Sequence, residues 1–573
     1  MFSQFDALPG VVLLVISANF RPFARMQPRR VRRHGRTWLT NQAQNEFVCG
    51  FQARQNQQVT QNLFHWLMPR RLISSDFGAK PFLRVPGSAG KGDHVLSWAN
   101  VDDRSAQFAG ALVRFGVAAG DRVLVQVHKS TDAVALYLAC LRIGAVFVTV
   151  NTAYTDAEVT YFARDSQPTL VVRSPDRSTF DDVACVTLAP GDPAAGPDDA
   201  TSPSLERSAE GEPFQDVVHR AATDVAALLY TSGTTGRSKG AMLTHGSLLA
   251  NGRALHEIWG FEPGDVLLHA LPVFHVHGLF IALQPAMLNQ SEVVFLPRFD
   301  ASQVIAHLPA STVFMGVPTF YTRLMDDPAF GPEVAQHIRL FTSGSAPMTE
   351  LVHQAFEART GQRILERYGM TETGIITSNP LNGDRIAGTV GFALPGTRIR
   401  ITDDDGSPTA AGTTGIVEMQ GEGLFAGYWD MPDKTQAAFN HGWFITGDVG
   451  SVDQNGRLTL EGRAGDMIIS GGLNIYPKEI EVMIDSLPGV VESAVVGLPH
   501  NDFGEATAAF VVLEPGRQWD DPMAEVSAGL ADHLARFKVP KMVLVIPELP
   551  RNAMAKVQKV ALRAEYESAF TGT

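Results

Sequence analysis

Cysteine is scarce in this sequence, because only Cys49, Cys140 and Cys185 occur among 573 residues. No two of them are closely spaced, so the sequence contains neither a disulfide framework nor a zinc ligand set. This pattern indicates a reducing compartment.

Long apolar runs are also missing, since no stretch approaches the roughly 18 residues that a membrane-spanning helix needs. The early run Val11–Ile16 follows Asp6 instead of a basic segment, so we expect neither a membrane span nor a signal peptide.

An excess of positive charge is missing as well. The chain has 47 Lys and Arg against 60 Asp and Glu, and its net charge is −13. Because affinity for nucleic acid depends on clustered Lys and Arg, we expect no nucleic-acid partner. Any anionic ligand must therefore be held by a few local groups.

Residues 1–60 differ from the rest because they hold eight Arg against Asp6 and Glu46 and show no clear periodicity. Three interpretations remain open: a start codon assigned too far upstream, a disordered basic tail, or an organelle transit peptide. We predict a cytoplasmic protein, or a mitochondrial one if residues 1–60 are a transit peptide. The folded sequence is expected to begin near Gln61.

Strand and helix patterns alternate from residue 122 onward. Apolar runs at 122–127 and 146–150 predict strands, and the segments 132–145 and 156–166 predict helices. This order is typical of an α/β fold in which a parallel sheet is covered by helices on both faces. Residues 186–213 are rich in Pro, Ala, Gly and acids, which predicts an exposed loop.

The segment LLYTSGTTGRSKGAML (228–243) places a loop of Gly, Ser and Thr after an apolar strand. It is not a P-loop, since Lys239 is followed by Gly240 instead of Ser or Thr, and it contains no G-x-G-x-x-G. Its backbone N–H groups and hydroxyls are nevertheless suited to a polyphosphate, with Arg237 and Lys239 supplying charge. The alternative is an ordinary surface turn.

Six motifs follow one another along the chain: YTSGTTGRSKG (230–240), SGSAPM (343–348), LERYGMTETG (365–374), WFITGDVG (443–450), GRAGDMIISGGLNIYPKEIE (462–481) and LPRNAMAKVQK (549–559). In this order they resemble the adenylate-forming acyl-CoA synthetases, over about Gln61–Phe570. The resemblance implies an α/β fold with a large N-terminal domain of mixed and parallel sheets with helices (61–465) and a small mobile α+β C-terminal domain (466–573). It also implies an acid–thiol ligase that uses ATP and CoA as co-substrates and Mg²⁺ as cofactor.

The same resemblance implies roles for individual residues in adenylate formation. Lys556 is expected to reach the carboxylate and phosphate oxygens, where a fixed positive charge stabilises the reaction. An acetyltransferase acting on Lys556 is an expected partner, since acetylation removes that charge. Glu372 is expected on the magnesium side, with Thr371 beside the α-phosphate. The other ATP-binding residues implied are Thr231, Ser232, Gly233, Thr234, Thr235, Gly236 and Lys239 in the loop, Gly344, Ser345, Ala346 and Tyr368 around the adenine, and Asp448 and Arg463 at the ribose.

Thioester formation is expected to need a second arrangement of the C-terminal domain. Asp466 matches the family's hinge residue, while Gly471 and Gly472 would let the pantetheine arm of CoA pass close to the backbone. Lys478 is expected either to meet anionic groups of CoA or to be a solvated helix start. Two positions depart from the usual pattern: Gly465 stands where Lys is usual, and Ala555 stands where Gly is usual.

The substrate prediction depends on the segments that should line the acyl pocket. They contain His275, His277 and Arg323, and Arg298 lies nearby in the sequence. A buried Arg needs a partner, and a second carboxylate on the substrate would provide one. These segments also resemble malonyl-CoA synthetases. The hypothesis is therefore that malonate, ATP and CoA give malonyl-CoA, AMP and diphosphate through a malonyl-adenylate, with methylmalonate as a secondary substrate.

Several alternatives stay open for the substrate and for these side chains. Arg323 could instead form a salt bridge with Asp326 or Asp327, and the two His could serve core packing or gating. A medium-chain fatty acid or aryl acid CoA ligase would share every nucleotide motif. A carrier-protein-loading adenylation enzyme is a less favoured alternative.

Overall fold

The computed structural model describes residues 61–69, 73–87, 92–178, 180, 183–189, 204–231, 238–346, 348–403, 405–470, 473–475, 477–500, 503–531, 534, 536–552 and 556–570. Residues 1–60 lie outside this description, as do the predicted loop residues Ser232, Gly233, Thr234, Thr235 and Gly236 and the predicted CoA residues Gly471 and Gly472. Thr60–Thr573 form one compact unit.

The strands of the described chain are β1 (Pro81–Val85), β2 (His94–Ser97), β3 (Arg122–Gln126), β4 (Val146–Thr149), β5 (Leu170–Arg173), β6 (Cys185–Thr187), β7 (Val225–Thr231), β8 (Lys239–Thr244), β9 (Val266–His269), β10 (Glu292–Phe295), β11 (Val313–Gly316), β12 (Leu340–Ser343), β13 (Leu365–Met370), β14 (Gly374–Ser378), β15 (Thr389–Ala393), β16 (Thr397–Thr402), β17 (Gly415–Gly421), β18 (Phe439–Asn440), β19 (Trp443–Val452), β20 (Leu458–Arg463), β21 (Ile468–Ser470), β22 (Leu473–Ile475), β23 (Val490–His500), β24 (Gly504–Leu513) and β25 (Met542–Val545).

The α-helices of the described chain are α1 (Phe64–Leu67), α2 (Trp98–Arg114), α3 (Thr131–Ile143), α4 (Asp156–Ser166), α5 (Leu205–Ser208), α6 (His245–Ile258), α7 (Gln284–Leu288), α8 (Ala301–His307), α9 (Pro318–Met325), α10 (Pro332–Ala335), α11 (Glu350–Thr360), α12 (Pro432–Ala437), α13 (Pro477–Asp485), α14 (Pro522–Leu530) and α15 (Lys559–Glu565). A π-helix spans His277–Leu283, and short 3₁₀ turns span Asp76–Ala79, Leu308–Ala310, Ala464–Asp466 and Arg536–Lys538.

The first sheet has the strand order β6-β5-β3-β4-β7-β8. All its pairs are parallel except the last, where β8 runs antiparallel to β7. Its central strands are buried on both faces, as expected for a parallel sheet between helices. The predicted strands and helices between residues 122 and 166 are confirmed as β3, α3, β4 and α4.

The second sheet runs from β2 through β1, β10, β9, β11, β12 and β13 and continues through β14, β15, β20, β19 and β17 to β16, with β18 beside β19. The pairs from β1 to β13 are parallel, and those from β13 to β16 are antiparallel. This change brings the carboxyl ends of β12 and β13 beside the long hairpin β19–β20. Ligands in α/β sheets bind at such carboxyl edges.

The third sheet belongs to the C-terminal part and has the order β22-β21-β24-β23, with β25 pairing β24. It packs with α13, α14 and α15 around two apolar clusters of its own, whose buried members begin at Ile468 and end at Leu562. The prediction of a mixed α/β fold with a large N-terminal and a smaller C-terminal domain is confirmed. The 3₁₀ turn Ala464–Asp466 lies between the two.

Local signals in the sequence explain where the helices near the first sheet begin and end. Ser97 and Thr155 form capping boxes at the start of α2 and α4, which satisfy the first free N–H groups. Helix α3 ends at Gly144, whose φ of +73° suits a residue without Cβ. Within the predicted exposed loop 186–213, residues 190–203 lie outside the described residues, and residues 210–213 are exposed. The rest contains the end of β6 and the helix α5, whose Leu205 is buried in the core.

No helix in the described part of the chain is both long and apolar enough to cross a bilayer.

Candidate active site

A cleft of about 820 Å³ opens where the carboxyl ends of β4, β7, β12 and β13 meet the β19–β20 hairpin and the C-terminal part. Both parts of the compact unit contribute to its wall. Its lining includes Thr231, Lys239, His275, His277, Ser345, Arg367, Thr371, Glu372, Tyr428, Arg463 and Lys556. All of these except Arg367 and Tyr428 are predicted site residues. One cleft therefore gathers predicted residues from distant parts of the sequence.

Glu372 lies on one wall and is only 6% exposed. Its Oε1 accepts hydrogen bonds from the Thr231 hydroxyl at 3.4 Å and the Tyr428 hydroxyl at 3.1 Å. The Lys239 ammonium lies 4.5 Å from the centroid of the Tyr428 ring, within cation–π range. The predicted loop cation, the predicted magnesium-side carboxylate and the end of β7 are thus held together.

This arrangement fits a magnesium ion bound mainly through a nucleotide. Mg²⁺ usually keeps waters and takes one or two protein carboxylates in addition to substrate phosphates. Glu372 supplies a carboxylate, and the hydroxyl of Thr231 stands beside it. Within the described residues no group of three or more His, Cys, Asp or Glu could hold a metal without such a ligand.

Asp448 is the acceptor in a second group of hydrogen-bonded residues, just behind the wall of the cleft. The Tyr368 hydroxyl donates to its Oδ2 at 2.6 Å, and Arg463 Nε lies 2.9 Å from its Oδ1. Burial, and then the charge of Asp448, raise the pKa of Tyr368 well above its ordinary value, so this hydroxyl remains a donor. Arg463 lines the cleft itself, which places the predicted ribose pair and the predicted adenine residue in one network.

The two histidines also line the cleft and are neutral. Burial lowers the pKa of His275 to about 4, and the charges of Arg367 and Lys556 act in the same direction. The pKa of His277 is also lowered well below its ordinary value by burial and by Arg367. His277 Nδ1 lies 3.1 Å from the hydroxyl of Ser345, whereas its buried Nε2 has no hydrogen-bond partner. Ser345 has a φ of +69°, a strained backbone for a residue with Cβ.

The π-helix places His277 in this wall. His269, at the end of β9, contacts the Gly278 carbonyl oxygen through Nε2 at 2.9 Å, and Lys129 Nζ lies 2.7 Å from His269 Nδ1. Glycine is required at position 278, because a Cβ there would lie 2.0 Å from the carbonyl oxygen of Pro272. π-Helical turns are rare and often occur at functional sites.

Arg367, a residue of β13, was not among the predicted site residues, yet it lines the cleft together with the histidines. Arg367 is 5% exposed, and its buried Nε and Nη2 atoms have no hydrogen-bond partner. Burial lowers the pKa of the guanidinium to about 10, which leaves it charged at neutral pH. A Cβ at Gly344 would lie 2.2 Å from Arg367 Nη1, so this glycine, predicted beside the adenine, makes room for the arginine.

Lys556 reaches the mouth of the cleft from the C-terminal part. Its backbone N–H donates to Asn552 Oδ1 at 3.0 Å, and the backbone N–H of Asn552 donates to the Lys556 carbonyl at 2.9 Å. Burial of the ammonium group and the neighbouring Arg463 lower the pKa of Lys556. The residue as a whole keeps an exposed surface, and it lines the cleft.

Arg298 and Arg323 were expected to contact the substrate, but the structure places both outside the lining of this cleft. Both are exposed, and neither lines the cavity. In α9 the buried positions are Tyr321 and Leu324, so Arg323 lies on the other face of the helix.

Six further predicted residues also lie outside the lining: Gly344, Ala346, Tyr368, Asp448, Asp466 and Lys478. Asp466 pairs with Arg563 of α15 at 3.2 Å.

Two cleft residues, Arg367 and Tyr428, were not predicted. Neither has a sequence feature of its own that indicates a function. The one available sign for Arg367 was its place inside the motif LERYGMTETG (365–374). Tyr428 is placed by pairing with β8, which no local pattern predicts.

Comparisons with known proteins identify the family of this chain. A model described as AMP-binding enzyme matches residues 76–429, and one described as AMP-binding enzyme C-terminal domain matches residues 479–556. A malonate–CoA ligase of Arabidopsis thaliana is 35% identical over 488 residues, 79% of this chain and 79% of that protein. The long-chain-fatty-acid–CoA ligase FadD13 of Mycobacterium tuberculosis is 32% identical over 486 residues, 83% of this chain and 94% of that protein.

Among solved structures, ATP-bound MatB from Rhodopseudomonas palustris is 44% identical with a TM-score of 0.83, and the match covers 90% of this chain and 100% of that one. The AMP-binding model alone spans more than half of the sequence. The chain therefore belongs to the AMP-binding enzyme family and is an AMP-forming acyl-CoA synthetase.

Proposed function

We propose that this synthetase activates malonate, so that ATP, malonate and CoA give malonyl-CoA, AMP and diphosphate. The observation that carries the proposal is the buried guanidinium of Arg367, which faces the cleft with two nitrogen atoms unpartnered. A buried charge without a partner costs several kcal/mol. A second carboxylate on the bound acid would remove that cost and form paired hydrogen bonds with the planar guanidinium.

The surroundings of Arg367 support a small dicarboxylate. His275 and His277 remain neutral, so they add no charge that would compete for a carboxylate. The buried Nε2 of His277 offers a further polar contact. An alkyl chain would leave both groups without a partner, which disfavours a fatty acid. The Arabidopsis relative is a malonate–CoA ligase, which points in the same direction.

In the first half-reaction, the other carboxylate of malonate would attack the α-phosphorus of ATP and release diphosphate. Two anions must meet, so the role we assign to Lys556 is to neutralise their oxygens at the mouth of the cleft. Lys239 would contact the outer phosphates, and Thr371 would lie beside the α-phosphate. Arg463, Asp448 and Tyr368 would hold the ribose side. Mg²⁺, held by Glu372, would screen the charge of the polyphosphate.

In the second half-reaction, the thiol of CoA would attack the acyl carbon and displace AMP. The domain division at residues 465 and 466 that we propose is supported by the separate apolar clusters on either side of it. Rotation about Asp466 would withdraw Lys556 once its charge is no longer needed. We assign the contact with CoA to the segment containing Gly471, Gly472 and Lys478.

The test is release of diphosphate by the purified enzyme with ATP and Mg²⁺, with and without CoA. Malonate and methylmalonate are compared with butyrate, which is similar in size but has a single carboxylate, and with acetate, octanoate and coumarate. We expect the highest kcat/KM with malonate. A higher value with any monocarboxylate would overturn the substrate proposal, leave the family assignment intact and favour a fatty acid or aryl acid ligase.

A further inference from the structure

Tyr428 stands between two opposite charges in the cleft. Its hydroxyl donates to Glu372 Oε1 at 3.1 Å, and its ring lies 4.5 Å from the Lys239 ammonium. The side chain is 6% exposed and lines the cavity. One aromatic residue thus contacts both groups that the proposed function assigns to the phosphate side.

The backbone fixes Tyr428 in this place. The segment 426–429 pairs with β8, the strand that begins at Lys239: Ala426 N–H donates to the Met242 carbonyl at 2.8 Å, and Trp429 N–H donates to the Gly240 carbonyl at 2.7 Å. In addition, Tyr428 N–H donates to the Thr435 hydroxyl oxygen at 2.9 Å. These bonds fix the backbone that carries the ring, and the ring itself is buried.

Lys239 and Glu372 form no ion pair with each other in the described structure, although both contact the same tyrosine. A direct pair would occupy the carboxylate and the ammonium together. The ammonium would then be less available to a phosphate, and the carboxylate would be less available to a cation. A hydroxyl and a ring face hold the two groups by weaker contacts, which a ligand can replace.

We propose that Tyr428 is a positioning residue that keeps Lys239 and Glu372 apart and oriented for a metal-bound nucleotide. Its ring holds the cation on one side, and its hydroxyl aims the carboxylate on the other. The inference rests on the phosphate-side roles of Lys239 and Glu372 in the proposed function, and it is independent of which acid is activated.

Calorimetric titration with a non-hydrolysable ATP analogue, with and without Mg²⁺, separates the two contacts. Tyr428→Phe keeps the ring, so its affinity without Mg²⁺ should stay within about two-fold, while the gain caused by Mg²⁺ should fall about ten-fold, as expected for losing a hydrogen bond to a charged group. Tyr428→Leu also removes the ring, so Lys239 can pair with Glu372 and affinity should fall without Mg²⁺ as well. The KM for malonate should not change in Tyr428→Phe.

Glu372→Gln is the reference variant, and Tyr321→Phe is the matched control. The Tyr321 hydroxyl is buried against the Thr342 carbonyl oxygen and does not line the cleft, so its loss should leave the Mg²⁺ effect unchanged. Thermal unfolding checks that each variant folds. The double variant Tyr428→Phe with Glu372→Gln should be no weaker than Glu372→Gln alone, because the hydroxyl acts through that carboxylate.

The variants separate failure of the positioning role from failure of the proposed function. If Glu372→Gln keeps the full Mg²⁺ effect, the phosphate-side assignment in the proposed function is wrong. If Glu372→Gln loses the effect but Tyr428→Phe binds like the unmodified enzyme, the positioning role is overturned and the assignment of Glu372 stands. Additive losses of the Mg²⁺ effect in the double variant would also overturn the positioning role of Tyr428.

Discussion

Arg367 and Arg323 illustrate how the surroundings of a side chain decide its chemistry. Both are arginines near segments of the acyl pocket, but the first is buried and unpartnered while the second is exposed. The cost of desolvation is the reason that Arg367 should attract a carboxylate, since an exposed guanidinium is already satisfied by water. The sequence indicates that an arginine is needed but not which one, because the orientation of α9 follows from packing of Tyr321 and Leu324.

Arg367→Met should raise the KM for malonate by roughly 10²- to 10³-fold, the scale expected when a charged hydrogen-bond pair loses one partner. The KM for ATP should change less than about three-fold, because binding of the nucleotide does not use this group. Steady-state kinetics with each substrate varied in turn measures both values. The same variant should use butyrate relatively better than the unmodified enzyme does.

Arg323→Ala is the matched control, since it removes an arginine from an exposed helix face. Its kinetics for malonate and ATP should equal those of the unmodified enzyme. A large rise in the malonate KM in Arg323→Ala, together with an unchanged malonate KM in Arg367→Met, would contradict the assignment of Arg367 to the second carboxylate.

At the scale of elements, the sequence predicted regular segments well and long-range pairings poorly. The elements β3, α3, β4 and α4 were predictable because apolar runs, capping residues and Gly144 all point to the same local structure. The π-helix at His277 and the pairing of residues 426–429 with β8 were not predicted. Both depend on contacts with residues outside the local pattern, such as Pro272 against Gly278 and Gly240 against Trp429.

The junction of α1 and α6 gives a pH-dependent prediction. His245, the first residue of α6, accepts the Leu63 N–H through Nδ1 at 3.1 Å, and burial, aided by Arg220, lowers its pKa to about 4. The unfolded chain binds a proton near pH 6.5, whereas the folded chain does so only near pH 4. The stability that neutral, buried His245 contributes is therefore complete above about pH 6.5 and is lost as the pH falls toward about 4.

His245→Asn keeps an acceptor near the Nδ1 position and cannot titrate. Its free energy of unfolding should fall less between about pH 7 and pH 4.5 than that of the unmodified enzyme, by about 1 to 3 kcal/mol. Urea unfolding followed by circular dichroism at both pH values measures the difference. His441→Asn, at an exposed position, is the control and should show the full pH effect. An equal fall in all three proteins would refute the role of His245.

At the scale of the whole molecule, the cleft is completed by a residue from the C-terminal part. Thr371, Glu372 and Arg463 come from the second sheet and its ends, whereas Lys556 precedes α15. The resemblance in motifs could predict that these residues act together. It could not predict the shared wall with Arg367 and Tyr428, which exists because β13 and the segment after β17 meet at one edge.

Lys556→Ala should separate the two half-reactions. Formation of the adenylate, measured as exchange of labelled diphosphate into ATP, should fall by at least roughly 10²-fold, the scale of losing a preorganised charge. Formation of malonyl-CoA from supplied malonyl-adenylate should remain near its original rate, because displacement of AMP no longer needs that cation. Equal losses in both steps would contradict the assignment of Lys556 to adenylation alone.

The pairing of residues 426–429 with β8 also bears on how the molecule folds. Strand β8 lies at the end of the first sheet, where its free N–H and C=O groups would otherwise be a template for association with other chains. A segment that follows β17 of the second sheet covers this edge. Opening of that region would uncover the edge, so the two sheets should unfold cooperatively, and partial unfolding there would favour aggregation. The same hydrogen bonds that orient the cleft therefore protect the chain against self-association.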